Sequence, residues 1–192
     1  MGLVELPDLI DERTWAAITR EAHACEPYSF PRVNTRPDLV QRRDGSITSP
    51  QRCRAHRGGD ALRRLATSAE LTHLVRDATG MECIVPSRFG FKYYRRGDFM
   101  AVHRDDVKCT ITISFGVTDN LEYMGWIPSL RHSSSQDVVD EVGATAMFPS
   151  TGSALPIGFR QLKGFDGYGI PHWRPSFEHD FGILGTICYF EL

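Results

Sequence analysis

His103 and Asp105 stand two residues apart in the stretch YYRRGDFMAVHRDD, residues 93–106. In an extended strand such a pair projects to one face while Arg104 points away, so an imidazole nitrogen and a carboxylate oxygen are offered together from one rigid edge. One more histidine from elsewhere would complete a two-histidine, one-carboxylate set, which leaves open positions on Fe(II) for substrate chemistry. The chain has seven histidines and fourteen aspartates, so chance alone supplies about 0.5 His-x-Asp pairs in a chain of this composition. The pair carries weight only through its surroundings.

Those surroundings are specific. Tyr94-x-x-Gly97-Asp98-Phe99 precedes the pair at a short fixed distance, and the polar-alternating segment CTITIS follows it. Here the chain resembles the Fe(II)/2-oxoglutarate-dependent dioxygenases, especially the prolyl-hydroxylase-like group with its Y-x-x-G-D/Q…H-x-D pattern. The resemblance spans most of the chain in layout and about fifteen residues in motif. It implies a double-stranded β-helix, a jelly-roll (cupin-like) barrel whose mouth holds the metal. It also implies a distal histidine roughly fifty to seventy residues beyond the first. His172, in PHWR, lies 69 residues on and leads into the final apolar segment; His179 lies 76 on and is the alternative; His132 lies only 29 on, in a Ser-rich stretch. On this resemblance His103, Asp105 and His172 bind Fe(II), 2-oxoglutarate and O2 react there, and a C–H bond of the substrate is hydroxylated or otherwise oxidised. Family halogenases carry a small residue at the position of Asp105, so halogenation is disfavoured.

One family feature is missing. A basic residue about ten positions past the distal histidine anchors the far carboxylate of 2-oxoglutarate, but Gly182, Ile183 and Leu184 stand there and nothing basic follows Arg174. Alternation along SRFGFKYY puts Arg88, Gly90, Lys92 and Tyr94 on one face and Phe89, Phe91 and Tyr93 on the other. If the first face lines the barrel, Lys92 and Tyr94 stand near the metal, and Tyr94 matches the family tyrosine that hydrogen-bonds 2-oxoglutarate. Thr112, flanked by Thr110 and Ser114, offers a hydroxyl on the neighbouring strand, and Arg174 offers a bidentate fork. The competing view makes Lys92 and Arg88 snorkelling edge cations. Trp126 and Trp173 are pocket walls or, as large aromatics usually are, core.

The elements that must position these residues are legible in part. Asp11 can cap a first helix with Trp15, Ile18, Ala22 and Cys25 on one face, ending near Cys25. Residues 26–59 are rich in Pro, Arg, Asn, Ser and Gly without a sustained period and read as a lid-like loop. Asp60 and Ser68 can cap two further helices, the second stopped by Gly80. Beyond it ECIVPSRFGFKYY, KCTITISFGV, ATAMFPS and GILGTICYFEL are short, β-branched or aromatic, and separated by turn residues. The expectation is a single α+β domain over 1–192, with residues 1–80 a helical support carrying the lid and 81–192 the jelly-roll core. Residues 128–143 read as a surface insertion.

Composition excludes other classes. Hydrophobic content of 41% and charged content of 24% fit a globular chain. No apolar run is long enough to span a bilayer, and MGLVELPDLIDE has acids where a signal peptide is basic, so a cytoplasmic protein without membrane partners is expected. Five widely spaced cysteines without a CxxC pattern read as reduced packing thiols. A zinc or manganese site is less well supported, since structural zinc prefers four closed ligands. Residues 32–64 hold nine arginines against three acids, a balance of +6 within a net charge of −2. That block is either a solvated face or a recruiter of a small substrate bearing carboxylate or phosphate. No nucleic-acid-binding motif is present. A peptide substrate, an iron oxidase that does not use 2-oxoglutarate, and a non-catalytic jelly-roll binding protein remain as alternatives.

Overall fold

Asp11 caps the first helix, its carboxylate accepting the Thr14 N–H at 2.9 Å. The computed structural model describes residues 4–7, 10–36, 40–43, 46–82, 84–143, 148–149 and 152–192. A short strand β1 (Val4–Glu5) precedes helix α1 (Glu12–Cys25), whose Trp15, Ile18 and Ala22 are buried along one stripe.

Residues 26–59, expected as a lid-like loop, are largely strand. A helical turn at Glu26–Tyr28 leads into β2 (Phe30–Asn34), and β3 (Val40–Gln41), β4 (Ile47–Thr48) and β5 (Gln51–His56) follow. β2 and β5 pair antiparallel, from Phe30 opposite Ala55 to Asn34 opposite Gln51. The period-two signal is present in QRCRAH, where Cys53 and Ala55 are buried and Arg52 and Arg54 exposed. Arginines on the outer face disguise it as a charged loop.

Helices α2 (Asp60–Ala66) and α3 (Ala69–Thr79) come next. Asp60 is not the cap of α2: it is the first helical residue and pairs with Arg63 at 3.0 Å. Glu21 of α1 supplies the cap instead, its carboxylate accepting the N–H groups of Gly59, Ala61 and Leu62 at 3.0, 2.6 and 2.9 Å. Ser68 caps α3 as expected, and Gly80, at φ +71°, ends it.

The rest is mainly β: β6 (Ile84–Tyr94), β7 (Phe99–His103), β8 (Ile111–Gly116), β9 (Tyr123–Trp126), then helix α4 (Ser135–Val142), β10 (Ser153–Pro156), β11 (Lys163–Phe165), β12 (His172–Arg174) and β13 (Gly182–Glu191). Most of the strand expected in ATAMFPS, residues 144–147 and 150, lies outside the described residues, as does Cys83. The sheet order places β11-β8-β13-β6 on one side and β7-β12-β9-β10 on the other, joined through β5, which pairs with both β6 and β7. These pairings are antiparallel, and interleaved strands in this order form a double-stranded β-helix.

Alternation sorts the two faces. Phe91, Tyr93, Ile113, Phe115, Ile183 and Ile187 meet Trp15, Ile18, Leu62, Leu65 and Val75 of the helices, which pack against the outside of the barrel as expected. Tyr93 and Tyr189 pin that layer by donating to the Ala22 and Ala66 carbonyls at 2.8 and 2.9 Å. The opposite faces of β6, β8 and β13 turn Lys92, Tyr94, Thr112, Ser114 and Leu184 inward. The segment 128–143, expected at the surface, is anchored: Val138 and Val142 of α4 are buried against Ile47, Val102 and Trp173. Among the described residues no helix is long and apolar enough to cross a membrane.

Candidate active site

The Gly97-Asp98 turn aims β7. Gly97 adopts φ +82°, a conformation glycine takes without penalty. Asp98 accepts the Arg95 N–H at 2.8 Å and Arg52 Nε at 3.0 Å, fastening the turn to β5. β7 then delivers His103, and Asp105 follows with its N–H on the Gly167 carbonyl at 2.9 Å. Arg104 points away, holding the Leu130 carbonyl at 2.8 Å.

His172 of β12 is the register partner of His103. The ligand atoms of His103, Asp105 and His172 all lie within 4.8 Å of one another, with the two imidazole rings 4.2 Å apart at their centroids. Nδ1 of His103 lies 2.9 Å from the Ala101 carbonyl and Nδ1 of His172 2.9 Å from that of Ile170. A carbonyl only accepts, so both Nδ1 atoms carry the proton and both Nε2 atoms present a lone pair. Burial pushes His103 well below the ordinary imidazole pKa, with His172 adding to it, and burial also lowers His172. Burial opposes ionisation of Asp105, but His172, His103, Lys92 and the Thr112 hydroxyl together hold its carboxyl below its usual value. The set therefore stands as two neutral imidazoles and a carboxylate. Nε2 of His103 is buried without a hydrogen-bond partner among the described residues, which is costly unless something binds there. Donor types, tautomers and the orphaned nitrogen fit a divalent cation such as Fe(II).

The other expected residues are distributed as follows. His179 is half-exposed beside Glu122 at 3.4 Å and His132 is exposed beside Asp166 at 3.5 Å, so neither joins the set. Thr112, expected to touch the co-substrate, donates to Asp105 Oδ2 at 2.7 Å, which ties its hydroxyl to that carboxylate. Lys92, Tyr94 and Arg174 share a recess beside His103 and His172. Their polar atoms are poorly partnered. Lys92 Nζ and the Tyr94 hydroxyl lie 3.5 and 3.2 Å from the Met100 sulfur, and the Tyr94 hydroxyl also meets the Arg174 side chain. Arg174 is buried over the Tyr94 ring, donates one N–H to the Leu121 carbonyl, and leaves Nε and Nη2 unpartnered. Three donors with weak or missing acceptors are suited to a carboxylate. Burial lowers the Lys92 pKa and nearby Asp105 works against that shift.

A chamber of about 660 Å3 opens outside the recess. Lys92, Arg88, Arg32, Arg42 and Arg57 line it, and the acids among its described lining residues are Asp105 and Asp106. Asp106 is engaged by Arg88 at 2.8 Å, whereas among the described residues Arg32, Arg42 and Arg57 have no ion-pair partner. The segment from β2 to β5 thus forms a basic wall of this chamber. Trp126 and Trp173 are core residues, packed with Phe165 and with α4 respectively.

No protein-family model and no curated protein matches the sequence. Among solved structures, the chain is similar to the non-heme alpha-ketoglutarate-dependent epimerase SnoN from nogalamycin biosynthesis, with TM-score 0.72 and 13% identity over 99% of this chain and 76% of that one. The chain has the double-stranded β-helix fold of these oxygenases. The same fold is shared with HygX from Streptomyces hygroscopicus, whose structure holds nickel, 2-oxoglutarate and hygromycin B (TM-score 0.65, 9% identity, 98% of this chain, 82% of that one). It is shared also with a Pseudomonas putida prolyl-4-hydroxylase (TM-score 0.59, 12% identity, 100% and 93%).

Two features of the site escape sequence reading. Gly167 approaches so closely that a Cβ there would lie 2.2 Å from Thr112 Oγ1 and 2.6 Å from Asp105 Oδ2; a glycine in a Gly-rich loop announces nothing of the kind. Gln51 of β5 places in the chamber wall a buried Oε1 without a hydrogen-bond partner among the described residues, and only the unrecognised strand would have pointed to it.

Proposed function

We propose that the protein is a non-heme Fe(II)/2-oxoglutarate-dependent oxygenase that oxidises a C–H bond of a small anionic metabolite or natural-product intermediate. The observation that carries this reading is the convergence of His103, Asp105 and His172 with both Nε2 lone pairs free and one of them orphaned. When bound, Fe(II) with 2-oxoglutarate and dioxygen supplies the oxidation of the C–H bond.

The chain's own residues do the rest. The Ala101 and Ile170 carbonyls fix the imidazole tautomers, and Thr112 fixes the carboxylate. Lys92, Tyr94 and Arg174, which share the recess beside the histidines, would hold the far carboxylate of 2-oxoglutarate. Arg32, Arg42 and Arg57 draw the acidic group of the substrate into the chamber, and Gln51 Oε1 accepts a hydrogen bond from a hydroxyl or amine on it. A chamber of about 660 Å3 suits a molecule of drug size. Neighbours of the same fold act in nogalamycin biosynthesis, hold hygromycin B or, in one case, hold a peptide fragment; the basic chamber is what favours a small acidic substrate here.

The test is oxygen-dependent turnover of 2-oxoglutarate by the iron-loaded protein, scored as succinate against a panel of acidic and neutral small molecules. Stimulation by acidic members supports the reading, and the product of the best one identifies the reaction. Iron uptake without succinate on any member would favour an oxidase that does not use 2-oxoglutarate.

A further inference from the structure

Asp105 belongs to a second group of potential ligands. Its carboxylate, the Cys109 sulfur and the Cys188 sulfur all lie within 4.8 Å of one another. Cys188 comes from the inward face of β13, where it is the register partner of Thr112 on β8. Cys109 comes from the turn between β7 and β8, with its N–H on the Asp106 carbonyl at 2.7 Å and its own carbonyl accepting from Tyr168 at 3.1 Å. Thr112 links the two groups, for its hydroxyl donates to Asp105 at 2.7 Å and lies 3.7 Å from the Cys188 sulfur. Both cysteines are buried yet line the chamber, so a solute that enters it can reach them.

Two sulfurs and a carboxylate select differently from two imidazoles and a carboxylate. Thiolates favour Zn2+, Cd2+ and Cu+, while the histidine set suits Fe(II). A coordinating cation deprotonates a thiol outright, so both sulfurs can bind as thiolates.

We propose that Asp105, Cys109 and Cys188 form a second cation site, selective for one thiophilic ion such as Zn2+ or Cd2+, that shares Asp105 with His103 and His172. The ion takes two thiolates and a carboxylate from the protein and leaves its fourth position to the chamber. By drawing Asp105 away from the histidines, it inhibits iron loading from a site outside the histidine pair. The cation site rests on the cysteine and carboxylate geometry alone, while its effect on iron loading rests on the proposed function.

The test is titration of the iron-free protein with cadmium chloride, followed by the ultraviolet cadmium–thiolate absorption. One equivalent should produce the band in the wild type and in His172→Ala. The band should vanish in Cys109→Ser and in Cys188→Ser, and the cadmium affinity should fall at least tenfold in Asp105→Ala. Circular dichroism reports whether each variant is folded, and anomalous diffraction from a cadmium-soaked wild-type crystal locates the ion without any variant. No band in the wild type, a band that survives either cysteine substitution, an anomalous peak confined to the histidine pair, or isolation of Cys109 and Cys188 as a disulfide without cadmium uptake would each overturn the proposal.

Discussion

Lys92 on β6 and Leu184 on β13 are register partners, and two residues along the same ladder Tyr94 faces Gly182. The last strand therefore carries no cation where the resemblance leads one to look, but Lys92, opposite Leu184 on the neighbouring strand, lines the same recess. Cross-strand partners have Cβ atoms about 5 Å apart, so a long side chain from either strand can reach one point.

Lys92→Met should weaken 2-oxoglutarate binding roughly 10- to 100-fold, the worth of a hydrogen bond to a charged group. Adding Leu184→Lys to that variant should recover part of the loss, because the cation returns from across the ladder. Anaerobic titration of the iron-loaded protein with 2-oxoglutarate measures both. An unchanged affinity in Lys92→Met would assign the anchor to Arg174 alone.

Gly167→Ala should lower Fe(II) affinity by about 10- to 100-fold, the range for disturbing a group that orients a ligand. The added methyl enters the space of the Thr112–Asp105 hydrogen bond. Thr112→Val should act in the same direction, while Thr112→Ser should stay close to wild type. Calorimetric titration with Fe(II) under argon reads all three, and a wild-type affinity in Thr112→Val would remove Thr112 from its orienting role.

Arg32→Glu and Arg57→Glu should raise KM for an acidic substrate while leaving kcat nearly unchanged, since these groups recruit rather than react. The wild-type KM should climb with ionic strength and that of the double variant should be flat. A neutral substrate turned over equally well by both proteins would count against an anionic one.

Much of this was readable from local pattern. His103 ends β7 and Asp105 follows two residues on, Asp11, Ser68 and Gly80 mark helix ends, and alternation along SRFGFKYY sorts Lys92 and Tyr94 from Phe91 and Tyr93. What was not readable depends on pairing across the chain. The partnership of His172 with His103 is a matter of β12–β7 register, and β11 and β12, at three residues each, are too short to show a period. β5 was hidden because its outward positions are arginines. Thr112 looked like a co-substrate contact because nothing local reveals that Asp105 takes its hydroxyl.

Glu21→Ala should remove the carboxylate that receives three N–H groups at the start of α2. A lost cap costs about 1–2 kcal/mol, which for a chain of this size is a Tm lower by roughly 2–8 °C. Iron affinity should not change, since α1 and α2 lie on the outer face of the barrel. A thermal melt paired with an Fe(II) titration separates the two effects.

The most direct test is optical. Fe(II) and 2-oxoglutarate added anaerobically to the protein should give a visible metal-to-ligand charge-transfer band at one equivalent of each, and the band should be absent in His103→Ala and in His172→Ala. Iron bound tightly with no band on adding 2-oxoglutarate, or a band undiminished in His172→Ala, would contradict the assignment of this centre.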